Sequence, residues 1–201
     1  MKQANQGVCA RGLLAALLTA GALALPLLAC SQAGAAEVAG VKVDDKVQLN
    51  GGELLLNGAG LRSRFMFKVY VASLYLPRKT GSSAEVFEAP TRRISMQMLR
   101  DVDADSMFGA LRDGLRDNLD EVKLAALQAQ IGQFEAVMRR VGNAHSGDRI
   151  TLDFFADNVA VSYNGDARGS VGGGGFANAL LRVWLGDKPV DGGLKKALLG
   201  G

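Results

Sequence analysis

Arg62, Arg64 and Lys68 flank a mostly apolar run, Phe65 to Leu76, that also carries Tyr70 and Tyr75. A cation at the end of an apolar pocket is what a carboxylate with a hydrocarbon tail requires. Tyrosine hydroxyls would add donors to such a pocket. Rim cations beside core-packed tyrosines are the competing account, and the residues alone leave both open.

Other residue types offer less chemistry. His145 is the single histidine and lies in a Gly/Asn/Ser-rich loop. A general base there is conceivable in type, but a solvated loop residue fits the surroundings better. With no H-x-x-H or H-E-x-x-H pattern and no cysteine cluster, a zinc site lacks ligands. A serine triad would depend wholly on His145, and no G-x-S-x-G turn is present. Asp101, Asp103 and Asp105 have the spacing of a calcium loop, but Arg112 stands where its final glutamate belongs. Capping of the following helix explains these acids. Gly172–Gly175 precedes a helix without a following Lys-Ser or Lys-Thr, so a tight crossover is expected rather than a phosphate loop. Neither metal nor cofactor is expected.

The chain has 201 residues, 48% hydrophobic and 21% charged, with 26 glycines. That composition argues against disorder and for one turn-rich domain. Residues 1–36 hold Lys2 and Arg11 but no acid, then an apolar run from Leu13 to Ala29 and the small-residue stretch Ala33–Ala36. A cleaved export signal is the reading, which gives a periplasmic location and a single domain over residues 37–201. Net charge falls from +3 to +1 without the leader, so a clustered basic face for nucleic acid is not expected. Cys9 and Cys30 both lie in the leader, which leaves the remainder without a disulfide or thiolate. Leu27-Leu28-Ala29-Cys30 resembles a lipobox, so a lipid anchor at Cys30 is the alternative processing. No membrane span is expected after processing.

Several elements must position these residues. Asn50-Gly51-Gly52 and Asn57-Gly58 signal turns between short strands. Phe65–Leu76 reads as a central strand stopped by Pro77. Ser82 can cap a short helix through Phe87. Arg92–Leu99 alternates, with Ile94, Met96 and Met98 on one face. Met107, Leu111, Leu115 and Leu119 predict a helix over 103–119, and a second amphipathic helix is predicted over 121–140. Strands follow at 149–155 and 159–163, then a helix over 176–185 and a short terminal helix near 194–199. This order predicts an α+β fold with a mainly antiparallel sheet.

Two stretches carry a family likeness. Leu56-Asn57-Gly58-Ala59-Gly60-Leu61-Arg62, followed by Phe65 through Tyr75-Leu76-Pro77, resembles the opening of bacterial chalcone isomerase-like proteins. Gly173-Gly174-Gly175-Phe176-Ala177-Asn178-Ala179-Leu180-Leu181-Arg182-Val183-Trp184-Leu185-Gly186 is similar to their ending, as is Pro189-Val190 with Leu194 to Gly200. The resemblance spans residues 38–200. It implies a large antiparallel sheet with a layer of helices and a ligand cleft between them. The family holds true isomerases, which close a chalcone to a flavanone, and non-catalytic relatives, some of which bind fatty acids. By resemblance, Arg62 matches the arginine that faces the substrate's anion or the fatty-acid carboxylate, and Tyr70 matches the tyrosine that assists it.

The departures decide the expected function. Where plant isomerases carry a tyrosine and a lysine, this chain has Ser106-Met107-Phe108-Gly109-Ala110-Leu111, and Tyr70 stands in place of their threonine. The polar groups that would stabilise an oxyanion are largely missing. The expectation is an exported, non-catalytic protein binding a fatty acid or similar small amphipathic carboxylate, with the tail among Phe65, Phe67, Met96, Met98 and Phe108. An intramolecular lyase acting on a phenolic enone is one alternative, and a structural or partner-binding envelope protein is the other. One geometric condition applies: eight residues of straight strand would separate Arg62 from Tyr70 by roughly 26 Å. They can share a ligand only if the chain turns or bulges near Ser63-Arg64. Otherwise Arg64 becomes the better candidate.

Overall fold

Residues 36–201 are described in a computed structural model; the leader's apolar run and both cysteines lie outside the described residues. Strands β1 (Ala36–Val38) and β2 (Val41–Val43) form a small hairpin. Strands β3 (Lys46–Leu49), β4 (Gly52–Arg64) and β5 (Phe67–Leu76) lead through helix α1 (Ser83–Glu88) to β6 (Thr91–Met98). Helices α2 (Ala104–Asn118), α3 (Glu121–Ala126) and α4 (Gln128–Val141) come next. The chain closes with β7 (Arg149–Phe155), β8 (Asn158–Tyr163), β9 (Asp166–Gly172), α5 (Phe176–Leu185) and α6 (Gly192–Leu198). The seven strands β3 to β9 lie side by side in chain order, all antiparallel. This is the α+β arrangement that the alternation of patterns predicts.

Side-chain parity divides the sheet into two faces. Along β6 burial alternates residue by residue, with Arg92, Ile94, Met96 and Met98 beneath the helices. They join Ala72, Leu74 and Leu76 of β5, Phe108 and Leu111 of α2, and Trp184 of α5 in the main core. Each large apolar side chain buried this way stabilises the fold by about 1.5–3 kcal/mol. On the opposite face a smaller cluster of Val43, Leu54, Leu56, Val71 and Tyr75 lies beneath the β1–β2 hairpin. The rest of that face is polar, where Arg93 makes a two-point ion pair with Asp153 at 2.6 and 2.8 Å.

Three local expectations change. The run Phe65–Leu76 is not one strand: the chain reverses at Phe65-Met66, and Arg64 pairs with Phe67. Strand propensity had hidden that turn, because neither residue is a usual turn former. Asn57-Gly58, expected as a turn, lies inside β4 at a register shift between Leu56 and Gly58. Asn57 is buried there and donates to the carbonyls of Leu198 (2.7 Å) and Thr80 (3.0 Å) while accepting from the Thr80 N–H (2.7 Å). The helix expected over 121–140 is broken at Leu127, which is fully buried and has ψ of 6°. By contrast, the Asn50-Gly51 turn and the Asp103 cap of α2 are formed as the sequence indicates. Asp103 accepts from the Ser106 N–H at 2.8 Å, which is the capping role rather than a calcium one.

Candidate functional site

The β4–β5 turn brings Arg62 and Tyr70 together. Folding the run back at Phe65-Met66 makes them direct cross-strand partners, with a register irregularity immediately beyond, between Arg62 and Ser63. Cross-strand neighbours have Cβ atoms about 4.5–5.5 Å apart, so the separation feared for one straight strand does not arise. Both faces of this geometry follow from parity. Gly58 and Gly60 of β4 lie against α6, where a Cβ on Gly60 would approach that of Ala197 to 2.7 Å. Arg62 continues the same face toward the start of α6.

Two further residues complete the cluster. Trp184, in the last turn of α5, donates its indole N–H to the Tyr70 hydroxyl oxygen at 3.1 Å. That bond leaves the Tyr70 proton free to be donated elsewhere. Asp191 caps α6, accepting from the Leu194 N–H at 3.0 Å through Oδ1. Its Oδ2 lies 3.5 Å from an Arg62 guanidinium nitrogen, and both side chains are about one-quarter exposed or less (20% and 24%). Arg62 also donates to the Ser63 carbonyl. Burial pushes the Tyr70 hydroxyl above its usual range, while the Trp184 bond and the Arg62 charge oppose that shift. Tyr70 is therefore a neutral donor at physiological pH.

The arrangement can hold one carboxylate by charge and by hydrogen bond. Asp191 already presents a carboxylate to Arg62, so an incoming acid must share or replace it. The apolar neighbours expected around a tail divide into two groups. Met96, Met98 and Phe108 are buried between the sheet and the helices at 5%, 3% and 6% exposure. Phe65 and Phe67 are instead solvent-exposed at the turn. They do not line the interior.

The remaining candidates separate from this cluster. Tyr75 sits on the opposite face from Tyr70, since five residues of regular strand invert the side-chain direction. It contributes to a small cavity of about 60 Å³ shared with Ser73, Arg93 and Thr151. A wider, open cavity of about 540 Å³ adjoins it, lined by Arg93, Gln97, Arg149 and Asn164. Arg64 and Lys68 are exposed beside the turn. His145 is exposed too, with Nδ1 3.3 Å from Asp101. The Gly172–Gly175 run is a crossover whose Gly174 carbonyl accepts from Lys123 at 3.1 Å, which is unlike an anion cradle of N–H donors. Among the described residues, no group of three or more His, Cys, Asp or Glu side chains could hold a metal.

A profile of the proteins described as chalcone isomerase-like matches residues 35–200. The chain belongs to the chalcone isomerase-like family. No curated protein sequence matches it. Among solved structures it is similar to the crystal structure of the Arabidopsis thaliana fatty-acid binding protein AtFAP1, with a TM-score of 0.66 and 16% identity. The match covers 80% of this chain and 92% of that one. At that identity the likeness is one of fold. It agrees with the sheet of seven antiparallel strands and its helical layer.

Within this chalcone isomerase-like chain, sequence reasoning missed Trp184 and Asp191 as companions of Arg62 and Tyr70. Asp191 did carry a local signal, as an acid just before the terminal helix. Trp184 reads only as a core residue of an amphipathic helix, because nothing local shows that its N–H meets a strand residue more than a hundred positions earlier.

Proposed function

We propose that this protein is an exported, non-catalytic binding protein for a fatty acid or a similar amphipathic carboxylate. Arg62 receives the carboxylate and Tyr70 donates to it. The observation that carries this reading is the cross-strand Arg62–Tyr70 pair, with the Tyr70 oxygen already supplied by Trp184 and its proton available. Asp191 acts as an internal stand-in that occupies the cation until an acid arrives. AtFAP1, similar in fold, is named a fatty-acid binding protein, which supports the same ligand class. Tail entry requires Met96 and Met98 to yield, and flexible thioether side chains repack more readily than branched ones. In the export reading, cleavage after Ala36 removes the first residue of β1, the one that pairs with Val43, and leaves Glu37 and Val38 in the hairpin. Lipidation at Cys30 would instead tether the same domain to a membrane.

Mass spectrometry of solvent extracts from the denatured protein tests the ligand. A near-stoichiometric fatty acid supports the reading. Arg62→Ala is expected to weaken acid binding by about 1.5–3 kcal/mol, the usual worth of a hydrogen bond to a charged group. Asp191→Asn, which removes the competing carboxylate, should strengthen it. Equal affinity in wild type and Arg62→Ala rejects the assignment.

A second reading has its own observation. The close burial of Met96, Met98, Phe108 and Leu111 between sheet and helices suits a protein whose cleft is filled by its own side chains and which serves a partner. An empty extract together with no acid binding would favour it. Isomerase chemistry has weaker support, because Ser106-Met107-Phe108-Gly109-Ala110-Leu111, which matches the stretch where plant isomerases carry a tyrosine and a lysine, holds neither.

A further inference from the structure

The β4–β5 turn exposes Phe65, Met66 and Phe67 to 92%, 93% and 60%. All three are absent from the buried clusters on both faces of the sheet. Phe65 also has φ of +55°, a conformation that glycine or asparagine adopts at lower cost. The turns at Asn50-Gly51 and Asn164-Gly165 use those residues, and the turns at Ala39 and Ala156 place a small side chain there. Stability of the fold therefore does not account for an aromatic and a methionine at this position.

Cations surround the apolar tip. The Arg64 guanidinium lies 6.0 Å from the Phe65 ring centre and that of Arg100 lies 4.9 Å from the Phe67 ring centre. Lys68 is exposed on the next rung, paired with Ser63. Two acids of neighbouring segments are engaged elsewhere: Asp191 with Arg62, and Asp101 with the Ser146 N–H and His145. An apolar wedge ringed by positive charge matches the headgroup–acyl boundary of an anionic bilayer.

We infer that the β4–β5 tip docks onto anionic lipid surfaces, with Phe65, Met66 and Phe67 entering the interface and Arg64, Lys68 and Arg100 contacting the headgroups. The dimensions agree. Phe65 follows Arg62 by three positions, at most about 10 Å at about 3.3 Å per residue. Interfacial segments bury apolar side chains by about 5–10 Å. Docking therefore brings the Arg62–Tyr70 pair to the level of the bilayer surface. The inference does not rest on acid binding at that pair.

Met66 provides a local readout in the full chain, independent of any contact made by the leader. The protein is mixed with phosphatidylglycerol/phosphatidylcholine vesicles, the bound fraction is isolated by flotation, and methionines are oxidised with peroxide. Buried Met96, Met98 and Met138 serve as internal references. Vesicle-bound protein is expected to oxidise at Met66 much more slowly than free protein. Protection should disappear in about 1 M salt, where the screening length falls to about 3 Å. Arg64→Gln with Lys68→Gln should weaken the tip's lipid contact by about fivefold per cation, roughly thirtyfold together. An unchanged thermal midpoint shows that this exposed pair of substitutions leaves the fold intact. Free-rate oxidation of Met66 on vesicle-bound protein overturns the inference. So does equal protection on pure phosphatidylcholine, or protection without vesicles that grows with protein concentration, which would mark a second copy as the occupant.

Discussion

Gly58→Ala is expected to destabilise the protein by about 3 kcal/mol, the upper part of the usual range for overpacking. A Cβ at Gly58 would collide with the backbone carbonyl of Ala197 and approach that of Leu198 to 2.8 Å. These are backbone atoms of the terminal helix region, so relief requires moving α6 rather than rotating a side chain. Moving α6 also shifts Asp191, its cap, away from Arg62. A domain of this size should lose roughly 6–12 °C in thermal midpoint. Gly132→Ala gives the contrast, because a Cβ there meets nothing within 4 Å inside α4. It should stabilise by up to about 1 kcal/mol through helix propensity. If thermal melts show both variants equally stable, the close approach of α6 to β4 is wrong.

Arg92→Ala is expected to cost about 3–5 kcal/mol, as truncation of a large, fully buried side chain with hydrogen-bonded partners commonly does. Arg92 is 1% exposed, and its guanidinium donates to the carbonyl of Phe87 (2.8 Å), to Asn178 Oδ1 (3.0 Å) and to the carbonyl of Ala156 (3.3 Å). These partners belong to the end of α1, to α5 and to the β7–β8 turn, so one side chain joins three segments. Burial lowers its affinity for the proton, yet an arginine remains charged at neutral pH. The alanine variant leaves a cavity and three acceptors without that donor. Arg92→Met separates the two effects by restoring volume without hydrogen bonds. Chemical denaturation should show methionine recovering only part of the loss; full recovery would mean packing alone explains the site.

Both predictions concern helices held against the sheet, and those contacts are where local reading had least access. The alternation at Ile94, Met96 and Met98 set the buried face of β6 in advance, because a period of two needs no partner to be read. Asp103 before an amphipathic run marked the start of α2 in the same way. Asn57-Gly58 shows the limit. The dipeptide signals a turn wherever the chain is considered alone, but here Asn57 satisfies backbone groups of a distant segment and Gly58 makes room for α6. Tyr75 shows another: its residue type matched Tyr70, while its strand parity sent it to the other face.

By itself the sequence determined the α+β class, many of the individual strands and helices and the family likeness, and through that likeness it offered Arg62 and Tyr70 as candidates. Those features are written in periodicity, capping residues and short motifs, all of which act over a few positions. Only the tertiary structure decided that the chain reverses at Phe65-Met66, that Trp184 and Asp191 complete the cluster, and that Phe65 and Phe67 face water. A turn without turn-forming residues is specified by the register of the strands it joins and by the layers packed on them. That register is set by contacts far apart in the chain, which no local pattern records.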